Sequence, residues 1–251
     1  MKLEFFSEGP ALVIERELRL LIVADLHFGI EADLAIHGLH FKSRTSERLE
    51  RLMKIIDLAD PDMLVLLGDV KHCIPSLSRQ EYLELPVILE TIRNRIPLKV
   101  FPGNHDTGIE HYLLESELQP RDGTIIDGTG YLHGHRYPSP ELSGHLMVAG
   151  HHHPLLQLKD EVGCATQAPV YMRACLEKER WGKAISKTCT PPSLALLVPA
   201  FNEIAGYNIL QIFKKPFSPV SRCMKKEGTE IILADGTYIG PLSSVCSDET
   251  D

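Results

Sequence analysis

Five short apolar runs, each ending in glycine, aspartate, asparagine or histidine, organise the first 153 residues of the chain. Leu20–Ala24 leads into Asp25-Leu26-His27, and Met63–Leu67 into Gly68-Asp69. Leu98–Phe101 leads into Pro102-Gly103-Asn104-His105-Asp106. Thr124–Ile126, with its extension to Leu132, leads into His133-Gly134-His135, and His145–Ala149 into Gly150-His151-His152-His153. A brief continuous apolar run bounded by turn residues is the pattern of a strand buried on both faces. The runs therefore predict an α/β fold whose polar clusters sit on loops at strand ends, where open α/β sheets bind ligands.

Around these runs the pattern is ordinary. Leu3–Phe6, Ser7-Glu8-Gly9-Pro10 and Ala11–Ile14 read as a hairpin feeding the strand Leu20–Ala24. Polar sequence follows to Ser46, an expected N-cap for the helix marked by Leu49, Leu52, Met53 and Ile56. Pro61-Asp62 ends that helix, and Arg79–Arg95 predicts another with a break or kink near Pro86. Beyond Pro154, short strand-like pieces (Val170–Ala174, Leu194–Val198, Ile231–Leu233), prolines such as Pro191-Pro192 and an Asp235-Gly236 turn predict a β-rich completion over 160–242. The acidic tail from Ser243 to Asp251 is expected to fray. With 251 residues at 28.1 kDa, we expect one domain, 1–251, with its chemistry within 25–153.

Composition excludes several classes. Hydrophobic residues at 43% and charged residues at 24% exclude global disorder, and no apolar run approaches the roughly 20 residues of a membrane helix. Glu4 and Glu8 flank Phe5-Phe6 where a secretory signal would need a basic head, so the cytoplasm is the expected compartment. A formal charge of −8 disfavours nucleic acid as a partner unless a local basic patch exists. The six cysteines, at 73, 164, 175, 189, 223 and 246, form no CxxC pair, which removes zinc ribbons and thioredoxin-like motifs.

Histidine is the unusual residue. Of 12, seven fall beside Gly or Asp in the loop clusters: His27, His105, His133, His135, His151, His152 and His153. Asp25 and His27 stand two residues apart, as do His151 and His153, a spacing that puts side chains on one face of an extended chain. Asp69 adds a carboxylate, Asn104 a neutral oxygen and His133 another imidazole. A single cluster reads more readily as a loop cap than as a site, with Gly103-Asn104-His105-Asp106 the strongest signal because three reactive side chains follow a glycine directly after a strand. Together, Asp25, His27, Asp69, Asn104, His133, His151 and His153 offer more nitrogen and oxygen donors than one tetrahedral ion takes, which implies two ions. The thiolate-free set suits Mn²⁺ first, with Fe, Zn²⁺ or Ni²⁺ as alternatives.

In order, Asp25-Leu26-His27, Gly68-Asp69, Gly103-Asn104-His105-Asp106, His133-Gly134-His135 and Gly150-His151-His152-His153 resemble the five motifs of the calcineurin-like metallophosphoesterases. Asp25-Leu26-His27-Phe28-Gly29, the run Gly150–Pro154 and Pro199-Ala200-Phe201-Asn202 resemble the archaeal SbcD-related, or ICC-like, phosphoesterases. The resemblance implies a four-layer αββα sandwich. It implies Asp25, His27 and His153 on one metal, Asn104, His133 and His151 on the other, and Asp69 bridging them. His105 would face the substrate and stabilise or protonate the leaving oxygen, and Asp106 would orient it. His135 and His152 are extra imidazoles in the ligand loops.

The expected activity is hydrolysis of phosphoesters, diesters ahead of monoesters, by a water or hydroxide bridging two cations. The alternatives are a DNA nuclease related to SbcD and, in a different class, a non-catalytic protein-binding scaffold. Scaffold relatives usually lose ligands or the substrate-facing histidine, and all are present here. The expected partner is a phosphoester substrate, with no membrane, and oligomeric state is not legible. Lys178, Arg180, Trp181, Lys183 and Lys187 read as a solvated charged loop, and Arg44, Arg48 and Arg51 as the exposed side of their helix. Cys73 carries no mark of a nucleophile, and His37, His40, His72, His111 and His145 read as loop or surface residues.

Overall fold

The computed structural model describes residues 1–159, 165–186 and 194–245. Cys164, Lys187, Cys189, Pro191-Pro192 and the tail from Cys246 lie outside the described residues. Two sheets form the centre. The first contains β1 (Lys2–Phe5), β2 (Leu12–Glu15), β3 (Arg19–Val23), β4 (Met63–Leu66) and β5 (Leu98–Val100) in chain order. Its β1–β3 part is an antiparallel meander, and β3, β4 and β5 are parallel.

The second sheet comprises β6 (Thr124–Ile126), β7 (Thr129–Leu132), β8 (Leu146–Ala149), β9 (Pro154–Lys159), β10 (Ala165–Cys175), β11 (Leu194–Leu197) and β12 (Tyr207–Asn208). They run in the order β12-β9-β10-β11-β8-β7-β6, with β13 (Glu230–Leu233) on β10 and β14 (Tyr238–Pro241) on β13.

Alternating side chains make these sheets the inner layers. Along β3, Leu20 and Ile22 pack towards the second sheet, while Leu21 and Val23 join the core under the helices. Val65 with Leu64 and Leu66 on β4, and Val148 with Met147 and Ala149 on β8, divide in the same way. On the outer face of the first sheet lie α2 (Thr45–Ala59) and α3 (Arg79–Arg93), through Leu52, Ile56, Leu85 and Leu89. On the second lie α4 (Lys178–Ile185), α5 (Ile209–Lys214), α6 (Pro219–Cys223) and α7 (Leu242–Val245), through Trp181, Ile212, Val220 and Leu242. The result is a four-layer αββα sandwich. Each fully buried aliphatic side chain in it contributes on the order of 1.5–3 kcal/mol relative to exposure.

Several local expectations need correction. A short helix, α1 (Ile30–Ile36), follows Gly29 in a stretch that shows no periodic apolar pattern. The next helix starts at Thr45 with Arg44 at its cap position and no side-chain cap bond, so Ser46 lies inside the first turn. The α3 helix passes through Pro86 unbroken. Tyr82, whose carbonyl loses its partner to the proline, is 64% exposed, where water can replace the missing N–H. Thr124–Leu132 is a hairpin, turned at Asp127 (φ 48°) and Gly128 (φ 70°), the positive-φ pair of a type I′ turn. The C-terminal part is β-rich but carries helices as well, and Trp181 is a core residue of one of them, not part of a charged loop.

Arg48 is the largest reversal. It is 1% exposed, ion-paired to Glu31 of α1 and to Glu203, with Nε 3.1 Å from the Glu203 carboxylate. Arg44 also reaches Glu203, at 2.9 Å, and Arg51 donates to the Phe201 carbonyl. Removing one partner of such a buried pair costs about 3–5 kcal/mol, because a charge is left without compensation.

Candidate metal centre

The carboxyl ends of parallel β3, β4 and β5 in one sheet face those of parallel β7 and β8 in the other. Loops from all five strands meet there. The Asp25 and His27 amides donate to the Gly68 and Asp69 carbonyls, at 3.1 and 2.8 Å. His133 joins its Nδ1 to the Leu67 carbonyl at 2.8 Å, tying the second sheet to the first. That contact turns Nε2 of His133 towards Asp69 and Asn104, at 3.4 and 3.2 Å. Asn202 steadies the opposite side by donating to the Leu26 carbonyl at 2.9 Å.

The backbone here is bent in a way that loops without a task seldom are. Asp25 (φ 56°), His27 (φ 43°), Asp69 (φ 47°), His151 (φ 68°) and His153 (φ 44°) all occupy the left-handed region. Such conformations cost non-glycine residues on the order of 1–3 kcal/mol and gather at functional sites. The Asp25–His27 pair does share a pocket, but through these bends and not through an extended strand. Gly103 shows how tightly the loops are nested. A Cβ there would lie 2.0 Å from Oδ1 of Asp69, so only glycine fits.

Two of the donor groups that result share Asp69. Asp25, His27, Asp69 and His153 form one, and Asp69, His133 and His151 the other. In the first, Nε2 of His153 lies 3.2 Å from Asp25 Oδ1 and 3.5 Å from Nε2 of His27, which is 3.8 Å from Asp69 Oδ2. Donors about 2.0–2.2 Å from a shared ion stand about 3–4 Å from one another, so the residues fit a cation. The second group adds Asn104 through its contact with His133. His151 and His153 therefore fall in different groups, which share Asp69.

The electrostatics match this arrangement. Burial opposes ionisation of Asp69, yet His133 and His27 hold its carboxyl well below the usual range. Burial would likewise discharge His133, but Asp69 and Asp25 raise it above an ordinary imidazole. The site is a pair of carboxylates wrapped in imidazoles, a donor set suited to a positive charge at its centre. Burial and His133 push His151 down to about 2, leaving a neutral ring with a lone pair to offer.

The remaining predicted residues separate clearly. His105 is half-buried at the rim, its ring 4.9 Å from that of His27, and its amide donates to Asp69 Oδ1 at 2.8 Å. Asp106 does not hold the His105 ring. Its carboxylate accepts the Gly103 and Lys71 amides, at 2.8 and 3.2 Å, and so shapes the loop. The His105 ring is fixed by the His72 carbonyl instead. His152 turns away from both groups, with its nitrogens on the Gly150 carbonyl (2.8 Å) and the Ser218 hydroxyl (2.7 Å). His135 sits beside the His133 ring, 5.2 Å between centroids, at the edge of the second group.

Residues outside the sequence reading complete the site. His72, read as a loop residue, brings Nδ1 to 3.1 Å from Nδ1 of His27, and with His27 and His105 it makes a third potential donor group. Its loop hangs on buried Glu81, whose Oε1 accepts the His72 and Cys73 amides at 2.8 and 2.7 Å. Buried Lys71 spans the Cys73 and His105 carbonyls. Gly68-Asp69 gave the only sequence signal nearby, and nothing in the spacing of Lys71, His72 and Glu81 marks them.

Comparison with known proteins agrees with the geometry. The family model described as calcineurin-like phosphoesterase matches residues 18–166. No curated protein matches the chain. Among solved structures, Pseudomonas putida nuclease MPE is similar at a TM-score of 0.56 with 18% identity, over 91% of this chain and 100% of that one. YfcE, a phosphoesterase from E. coli, gives a TM-score of 0.36 with 17% identity, over 56% of this chain and 73% of that one.

Proposed function

This chain belongs to the calcineurin-like phosphoesterase family, and from that premise we propose that it hydrolyses phosphodiesters in preference to monoesters at a two-cation centre. The observation that carries the proposal is the sharing of Asp69 between two donor groups, with His105 on the rim beside them. Asp25, His27 and His153 would hold one cation, Asn104, His133 and His151 the other, with Asp69 common to both. When bound, such a pair of divalent ions neutralises phosphate charge and makes water nucleophilic near neutral pH. Mn²⁺ is our first choice, since the donors are all nitrogen and oxygen.

The protein's own groups do the rest. His105 is partly exposed and donates through Nδ1 to the His72 carbonyl, which leaves Nε2 free to donate, when the ring is in its imidazolium form, to the oxygen that gains charge as the ester bond breaks. Lys71 and Asp106 fix the loop that presents it. We take 1–251 as one catalytic domain and the cytoplasm as its compartment, consistent with the thiols of Cys73 and Cys175, which form no disulfide among the described residues.

Hydrolysis of bis(p-nitrophenyl) phosphate and p-nitrophenyl phosphate by protein loaded in turn with Mn²⁺, Fe²⁺, Zn²⁺ and Ni²⁺ tests the reading. Faster turnover of the diester, abolished by a chelator, is expected. Failure to cleave either ester with any of the ions would overturn it.

A further inference from the structure

Next to the second donor group the surface opens into a groove of about 770 Å³ lined by Arg121, Arg136, Arg222 and His135, with Asp122 the one carboxylate among its lining residues. Tyr137 and Phe217 supply aromatic walls and are 60% and 39% exposed. Residues lining the groove touch the site at three points. The His135 ring lies 5.2 Å from that of His133, and the Phe217 ring 5.3 Å from that of His151. Arg121 donates to the carbonyls of Gly103 and Asp106, at 2.7 and 3.3 Å, on the two sides of the Asn104-His105 pair.

Three features point to an anionic ligand. Arg136 and Arg222 are exposed and, among the described residues, pair with no carboxylate. Concentrated positive charge in a chain of net charge −8 is not what composition alone would place beside a metal centre. A neighbouring hollow shares Tyr137 and Arg222 and adds Lys183 and Arg180, the latter paired with Glu177 at 2.6 Å, so the basic lining runs on beyond the groove. A pocket of this size exceeds what a single phosphate fills, and planar guanidinium groups suit phosphate oxygens.

We infer that this groove is a second phosphate subsite, which takes a further phosphate of the substrate beyond the one cleaved. The inference rests on the phosphoesterase reading and narrows it to substrates bearing more than one phosphate. Arginines interleaved with aromatic rings are able to hold a phosphate and stack the ring attached to it. Such a phosphate comes either from a polynucleotide strand or from a small polyphosphorylated molecule. The groove supplies the local basic patch that the net charge left as the condition for a nucleic-acid partner, because local charge and not the total decides this contact.

The test compares wild type with R136E/R222E, both at exposed positions, after circular dichroism shows that the double variant is folded. Binding of fluorescein-labelled (dT)10 and of diadenosine tetraphosphate to metal-free protein isolates the groove from catalysis. At least tenfold weaker binding of one of these by the variant is expected, and which one identifies the source. The salt slope for the oligonucleotide should fall by about 1.4, two phosphate contacts at about 0.7 each on a single strand. In metal-loaded protein, kcat/KM for the bound probe should fall at least tenfold further than for bis(p-nitrophenyl) phosphate, with the loss in KM. Absent binding of both probes by wild type, or equal binding by variant and wild type, would overturn the inference. Inactivity of wild type on every ester, with intact probe binding, would count against the phosphoesterase reading and leave the groove standing.

Discussion

Oδ1 of Asp69 accepts the backbone N–H of His105 at 2.8 Å, while Oδ2 of the same carboxylate faces Nε2 of His133 and of His27, at 3.4 and 3.8 Å. One side chain therefore couples the two donor groups to the loop that presents the rim histidine. Position and charge at the centre change together when Asp69 changes.

Substitution at the two ends of this link should separate metal binding from turnover. Asp69→Asn should lower both metal content and activity. His105→Ala should retain metal while kcat on a diester with a poor leaving group falls about 10²- to 10⁴-fold. Elemental analysis beside steady-state kinetics checks this, and a His105 variant with unchanged kcat on such a diester would rule out the proposed role.

The shared carboxylate also sets a stoichiometry. Fully loaded protein should contain two ions per chain, because the donors divide into two groups around Asp69. Removing the ions with a chelator should abolish turnover and lower the melting temperature, since a ligand bound only by the folded state stabilises it. A loaded preparation holding one ion per chain would contradict the two-group assignment.

Gly103→Ala tests how closely the loops nest. The new Cβ would meet Asp69 Oδ1 at 2.0 Å and the Asp69 amide nitrogen at 2.6 Å, so the carboxylate must move. The variant should lose about 1–3 kcal/mol of stability, as overpacked sites do, and most of its metal. Denaturant unfolding with metal analysis reads both, and wild-type metal content would show that the loop yields without moving Asp69.

Acid stability should depend on an ion pair outside the donor groups. Buried Glu117 accepts Nε and Nη2 of Arg93 at 2.6 and 2.7 Å and the Leu114 amide at 2.8 Å. Burial opposes its ionisation, but Arg93 and the amide hold its pKa below the usual glutamate range. The folded-state pKa is depressed, so the stabilisation is present above the unfolded value of about 4.3 and is lost as pH falls through the lower folded value. Metal-free Glu117→Gln should lie below wild type in melting temperature at neutral pH and converge with it in acid. Parallel pH profiles for the two proteins would disprove this.

What the sequence by itself determined is what local order encodes. Apolar runs such as Leu20–Ala24 and Met63–Leu67 became strands buried on both faces, and the polar residues after them came to lie at the carboxyl ends of parallel strands. Burial at every position of a short run, followed by a turn, leaves a chain few alternatives. The five clusters were legible for the same reason, since each is contiguous.

Only the tertiary structure decided which side chains meet. His152 and His153 are adjacent in sequence, yet one bonds Ser218 and the other faces Asp25, because a left-handed turn sends them apart. Arg48 left the solvent for a pair of glutamates brought by α1 and by residue 203. His72 joined His27 across 45 residues, and Arg121, Arg136 and Arg222 came from separate segments to line one groove. Periodicity reports which face of its own element a residue occupies. It carries no record of which distant segment packs against that face, and in this protein those distant contacts orient the donors and gather the basic groove.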